Sequence, residues 1–141
     1  MCLMVYLAAS EPLPLLPWRE DRPGLHVEAL PREHAAGAQT TLPALHYAGS
    51  HQQCGCGFQL GLEFEGQEPP DDAARVRETL AAFAAYLEHQ LRQRRQVEIM
   101  ACWAGAEAEP PQSCRSITPD DLRRPDFRFA ESERLTVVAR P

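Results

Sequence analysis

The sequence predicts an α+β fold: a mostly antiparallel sheet of about five or six short strands, with one long amphipathic helix packed on one face. Three observations carry this. The stretch after Asp72 repeats apolar residues at three- and four-residue spacing. The stretches before and after it run apolar or alternate, without a helical period. Proline and glycine clusters separate these stretches. No internal repeat or composition break divides the chain, so residues 1–141 read as a single domain.

Taken in order, Cys2 to Ala8 is apolar on both faces, as a buried central strand would be. Pro12, Pro14, Pro17 and Pro23 then allow only extended chain. Leu25 to Leu30 is a weak strand, and residues 31–43 read as loop. Leu45 to Gly49 reads as a strand. A glycine-rich loop with His51, Cys54 and Cys56 follows it. From Phe58 to Glu65 apolar and polar residues alternate, which predicts a half-exposed strand in a hairpin with Leu45–Gly49.

Pro69-Pro70-Asp71-Asp72 marks a helix start, with acidic charge in the first turn. Val76, Leu80, Phe83, Ala84, Leu87 and Leu91 then form one stripe. Burying each large member contributes about 1.5–3 kcal/mol, so the helix must lie on the sheet. Val97 to Trp103 reads as another strand, and residues 105–117 as loop. Thr118-Pro119-Asp120-Asp121 predicts one capped helical turn. Phe127–Phe129 and Leu135–Ala139 read as two closing strands.

Composition narrows the chemistry. All 14 basic residues are Arg, and the chain has neither Lys nor Asn, a bias that fits a GC-rich coding genome. Without Lys there is no phosphate-loop lysine and no Schiff base. Without Asn there is no N-glycosylation acceptor. The net charge of −6 argues against nucleic acid as a partner. Arg92, Arg94 and Arg95 sit where positive charge complements a helix end. No segment approaches the roughly 20 apolar residues of a membrane span. The N-terminus lacks the basic region of a signal peptide, so no membrane partner and a cytoplasmic location are expected. A protein or small-molecule partner and a homo-oligomer stay open.

The remaining chemical capacity is sulfur and imidazole. Five cysteines do not close into a disulfide framework, and in a reducing compartment they point to metal, reactivity or core. The motif His51-x-x-Cys54-Gly-Cys56-Gly carries ligands that suit zinc on a loop that lets two sulfurs converge. If the strand 97–103 runs antiparallel to the first strand, Cys2 and Cys102 fall at one sheet end. Were the loop also there, Cys2, Cys54, Cys56, Cys102 and His51 would gather. For Cys102, beside Trp103 in a strand, core is the better expectation. Cys114 is assigned no role, and His46 is read as structural. The expected metal ligands are therefore Cys54 and Cys56, with His51 and Cys2 beside them, and the expected ion is zinc.

Two other classes compete. The same cluster would suit a thiol-dependent redox or hydrolytic enzyme, although no helix N-terminus follows to stabilise a thiolate. An interaction domain without site chemistry would merely bury its cysteines. The carboxylate pairs Asp71/Asp72 and Asp120/Asp121 are explained by helix capping.

Two resemblances accompany these readings. Met1-Cys2 before an apolar strand is similar to the start of glutamine amidotransferases and related N-terminal-nucleophile hydrolases. In those enzymes the α-amine of a terminal cysteine serves as base. That likeness covers only the first few residues. The pieces MCL-VYLAAS-PLPLLPW, HYAGSH--CGCGF and PDDLRRPDF together resemble a family of small bacterial proteins of uncharacterised activity. Its features are the N-terminal Met-Cys strand and the HxxCGCGF loop, and it brings no catalytic residue, substrate or cofactor.

Overall fold

The structure is a computed structural model that describes residues 2–59 and 70–141, with the side chains of residues 70–72 left aside. Its elements are β1 (Leu3–Ala9), β2 (His26–Leu30), β3 (Ala44–Gly49), α1 (Pro70–Leu91), β4 (Gln96–Trp103), β5 (Ser113–Ile117) and β6 (Ser132–Val138). The six strands form one sheet in the order β2-β3-β1-β4-β6-β5. Every neighbouring pair is antiparallel apart from β5 and β6, which run parallel at one edge. The fold is α+β, with the mostly antiparallel sheet that the patterning predicts.

Side-chain alternation gives the sheet two buried faces. Leu3, Val5 and Leu7 of β1 and Val97, Ile99 and Ala101 of β4 point to the side covered by α1. There they meet the helical stripe Val76, Leu80, Phe83, Ala84, Leu87 and Leu91, all of it buried. On the other side Tyr6, Leu45, Met100 and Cys102 pack under Ala36, which belongs to a 3-10 turn at Ala35–Gln39. Apolar residues at every position of β1 are explained by this two-sided burial. Among the described residues, no helix is long and apolar enough to cross a membrane.

Three expected elements are corrected. Phe58 does not open a strand: it ends a 3-10 turn, Gly55–Phe58, and stacks on Phe83 of α1 with ring centroids 4.8 Å apart. The rest of that expected strand, residues 60–65, lies outside the described residues. Its hairpin partner is already taken, because β3 holds β2 on one edge and β1 on the other, and a strand has only two edges. The expected loop over 105–117 contains β5, whose Ser-Cys-Arg-Ser-Ile sequence is exposed over four of its five residues and so shows no alternation. Phe127 and Phe129 form no strand; both are buried and meet edge to face, with centroids 5.0 Å apart at 83°.

The capped turn at Thr118 is present. The Thr118 backbone N–H donates to Asp121 Oδ2 at 2.8 Å, and Pro119 occupies the first helical position.

Candidate metal centre

The site begins with strand direction. β1 is antiparallel to β3, with Val5 opposite Ala48, so the start of β1 and the end of β3 share one end of the sheet. The loop that leaves β3 therefore folds over the residues that enter β1. Cys2 lies just before β1, and Cys54 and Cys56 lie on that loop.

Ser50 organises the loop. It is fully buried, and its Oγ accepts from the backbone N–H groups of Gln52 and Gly57, each at 3.1 Å. The same hydroxyl donates to the Cys54 carbonyl, which also accepts from the Ser50 N–H at 2.9 Å. This closes a ring of hydrogen bonds around residues 50–57. Gln53 adopts a positive φ of 72°, and its carbonyl accepts from the Tyr47 hydroxyl at 2.6 Å. Gly55 lies so close to β1 that a Cβ there would stand 2.6 Å from Val5 Cγ2 and 2.9 Å from the Leu3 carbonyl oxygen. Only glycine fits without displacing the strand.

These constraints bring three sulfurs together. The Sγ atoms of Cys2, Cys54 and Cys56 all lie within 4.8 Å of one another. Zinc–sulfur bonds of about 2.3 Å place tetrahedral thiolates about 3.8 Å apart, so this cluster can hold a metal ion with small side-chain adjustments. Cys2 is exposed, whereas Cys54 and Cys56 are half-buried. The Leu3 backbone N–H donates to Cys56 Sγ at 3.2 Å. An N–H aimed at a sulfur stabilises negative charge there, as outer-shell donors do around metal thiolates.

Electrostatics at Cys54 disfavours the free thiolate. Burial, above all, pushes the Cys54 thiol up to about 12. The neighbouring Cys56 and Cys2 sulfurs add to the rise, against an opposing hydrogen bond from the Cys56 backbone. A thiol raised in this way is a poor nucleophile near neutral pH. A metal dication would favour the deprotonated Cys54 sulfur that burial disfavours.

Of the expected ligands, the structure groups Cys2, Cys54 and Cys56. His51 is not part of the three-sulfur group. Its Nδ1 lies 2.8 Å from Thr79 Oγ1, which ties the loop to α1. Cys102 is separate as well. β1 and β4 are indeed antiparallel, with Met4 opposite Cys102. Alternation, however, turns Cys102 to the face away from α1, where it is fully buried beside Met100 and Tyr6. Burial, with Glu107 and Glu109 adding, pushes its thiol up to about 11. Cys114 is exposed on the edge strand β5. His46 is structural: it is buried, and its Nε2 accepts from the Leu13 N–H at 3.0 Å. Sequence reasoning passed over Ser50 and Thr79, because neither hydroxyl stands out until the loop closes on itself and on the helix.

Comparison of the chain with protein-family models, curated proteins and solved structures finds no match. The fold and the site together define a small α+β protein with a trithiol cluster at one end of its sheet.

Proposed function

We propose that the chain is a zinc-binding module in which Cys2, Cys54 and Cys56 ligate the ion as thiolates. The observation that carries this reading is the convergence of three sulfurs from two distant segments, held by a loop whose own hydrogen bonds fix their positions. Soft thiolate sets favour zinc over magnesium or calcium, which seek oxygen. Among the described residues no fourth Cys, His, Asp or Glu joins the group, which leaves one coordination position to water or to an incoming group. His51 supports the site through Thr79 rather than as a ligand. The ion pins the entry of β1 to the loop after β3, so binding stabilises the fold at that end of the sheet. A reducing compartment, where the sulfurs stay unpaired by disulfides, suits this chemistry.

Elemental analysis of untagged protein, reconstituted with zinc and desalted, tests the proposal. About one zinc per chain is expected, and far less in Cys54→Ser. A zinc content near zero, or one that Cys54→Ser leaves unchanged, overturns it.

A further inference from the structure

A cavity of about 260 Å³ opens between α1 and the segment that follows the Thr118 turn, lined on the helix side by Val76, Arg77 and Leu80 and on the other by Leu122, Phe127 and Arg128. Its floor is apolar: Val76, Leu80, Leu122 and Phe127 are all buried. Its rim is basic, although the chain as a whole carries a charge of −6. The rim arginines are not equivalent. Arg123 is held by Glu88 and Asp120, and Arg124 by Asp121 and Asp126. Among the described residues, Arg77 and Arg128 have no acidic partner.

Arg128 is half-buried at that rim. One of its terminal nitrogens donates to the Phe127 carbonyl at 3.0 Å. A carboxylate is the group whose geometry matches the planar fork of a guanidinium. The volume is just below the range of drug-sized pockets, so the ligand is small.

We propose that this cavity binds a small organic monocarboxylate, its alkyl or aryl body on the Val76–Leu80–Leu122–Phe127 floor and its carboxylate against Arg128 and Arg77. The apolar floor gives an inorganic anion nothing to rest on, and two arginines without an acidic partner give an uncharged hydrocarbon no reason to be preferred. The site is remote in chemistry from the sulfur cluster and does not depend on metal at that cluster.

Titration calorimetry on the full chain with octanoate, 1-octanol and inorganic phosphate tests the proposal. Octanoate is expected to bind saturably at one site, about tenfold or more tighter than octanol, with no saturation by phosphate up to about 10 mM. Arg128→Gln is expected to weaken octanoate about tenfold, with the far-ultraviolet circular dichroism unchanged. If Arg128→Gln does not fold, Arg77→Gln is read in its place, with a smaller loss of a few fold. The proposal is overturned by any of four results. These are no saturable octanoate binding, octanol binding as tightly as octanoate, phosphate binding as tightly as octanoate, or undiminished octanoate affinity in the folded variants.

Discussion

The backbone N–H of Leu3 donates to Cys56 Sγ across 3.2 Å. This contact joins the first residue of β1 to the loop that leaves β3, so the sulfur cluster is tied directly to the central strand. Whatever moves the loop moves the cluster.

Gly55→Ala is expected to disturb both together. Its new methyl would press on Val5 Cγ2 and the Leu3 carbonyl oxygen, at 2.6 Å and 2.9 Å before relaxation. A loss of about 1–3 kcal/mol in urea unfolding is expected for the metal-free protein. Zinc affinity should fall as well, read by competition with a chromophoric chelator. Unchanged stability and affinity would mean that the loop has more freedom than this packing allows.

The helix was legible in the sequence because a 3.6-residue period repeats over six buried positions, from Val76 to Leu91. β5 was not, because an exposed parallel edge strand has no apolar face to reveal it. The sulfur cluster was legible only in part. Cys2, Cys54 and Cys56 could be nominated from residue type, and their meeting depended on strand directions that the structure supplies. Cys102 satisfied the same condition on direction, but it lies inside β4 and is fully buried beside Met100 and Tyr6, whereas Cys2 precedes β1 and is exposed. His51 lies in the right loop, yet its ring turns to Thr79 on a helix that no local motif could place.

The pair Arg115–Glu133 is expected to respond unequally to removal of its two members. Glu133 is 2% exposed and accepts two hydrogen bonds from Arg115, at 3.0 and 3.1 Å, and one from the Ala130 N–H at 2.9 Å. Arg115→Ala leaves a buried carboxylate short of its cation and should cost about 2–3 kcal/mol, less than for a fully buried pair because the Arg115 side chain is 45% exposed. Glu133→Gln returns Arg115 to water and should cost about 1–2 kcal/mol. Chemical denaturation of both variants checks the order. A larger loss in Glu133→Gln would reverse this account of the pair.

His46 should make the fold sensitive to mild acid. Its Nε2 accepts from the Leu13 N–H, and burial, assisted by the charge of Arg94, lowers its proton affinity below the ordinary value near 6.5, against backbone carbonyls of Leu7 and Ala44 that raise it. The unfolded chain therefore binds this proton more readily than the folded one. Stability from this source is complete above about pH 6.5 and declines as pH falls below it toward the lower folded value. His46→Gln keeps an acceptor near Leu13 and removes the titration. Urea midpoints between pH 7 and pH 5 should fall less in His46→Gln than in the native sequence, and equal slopes would assign the acid response elsewhere.

The proposed binding of one soft metal ion by Cys2, Cys54 and Cys56 together has a direct spectroscopic readout. Cobalt(II) titration of the reduced, metal-free protein measures this directly, because thiolate ligands give a sulfur-to-cobalt charge-transfer band and tetrahedral geometry intensifies the visible bands. Bands are expected that saturate near one equivalent, vanish when zinc is added, and are lost or strongly weakened in each of Cys2→Ser, Cys54→Ser and Cys56→Ser, but not in Cys102→Ala. A cobalt spectrum without sulfur charge transfer, or one indifferent to all three substitutions, would contradict it.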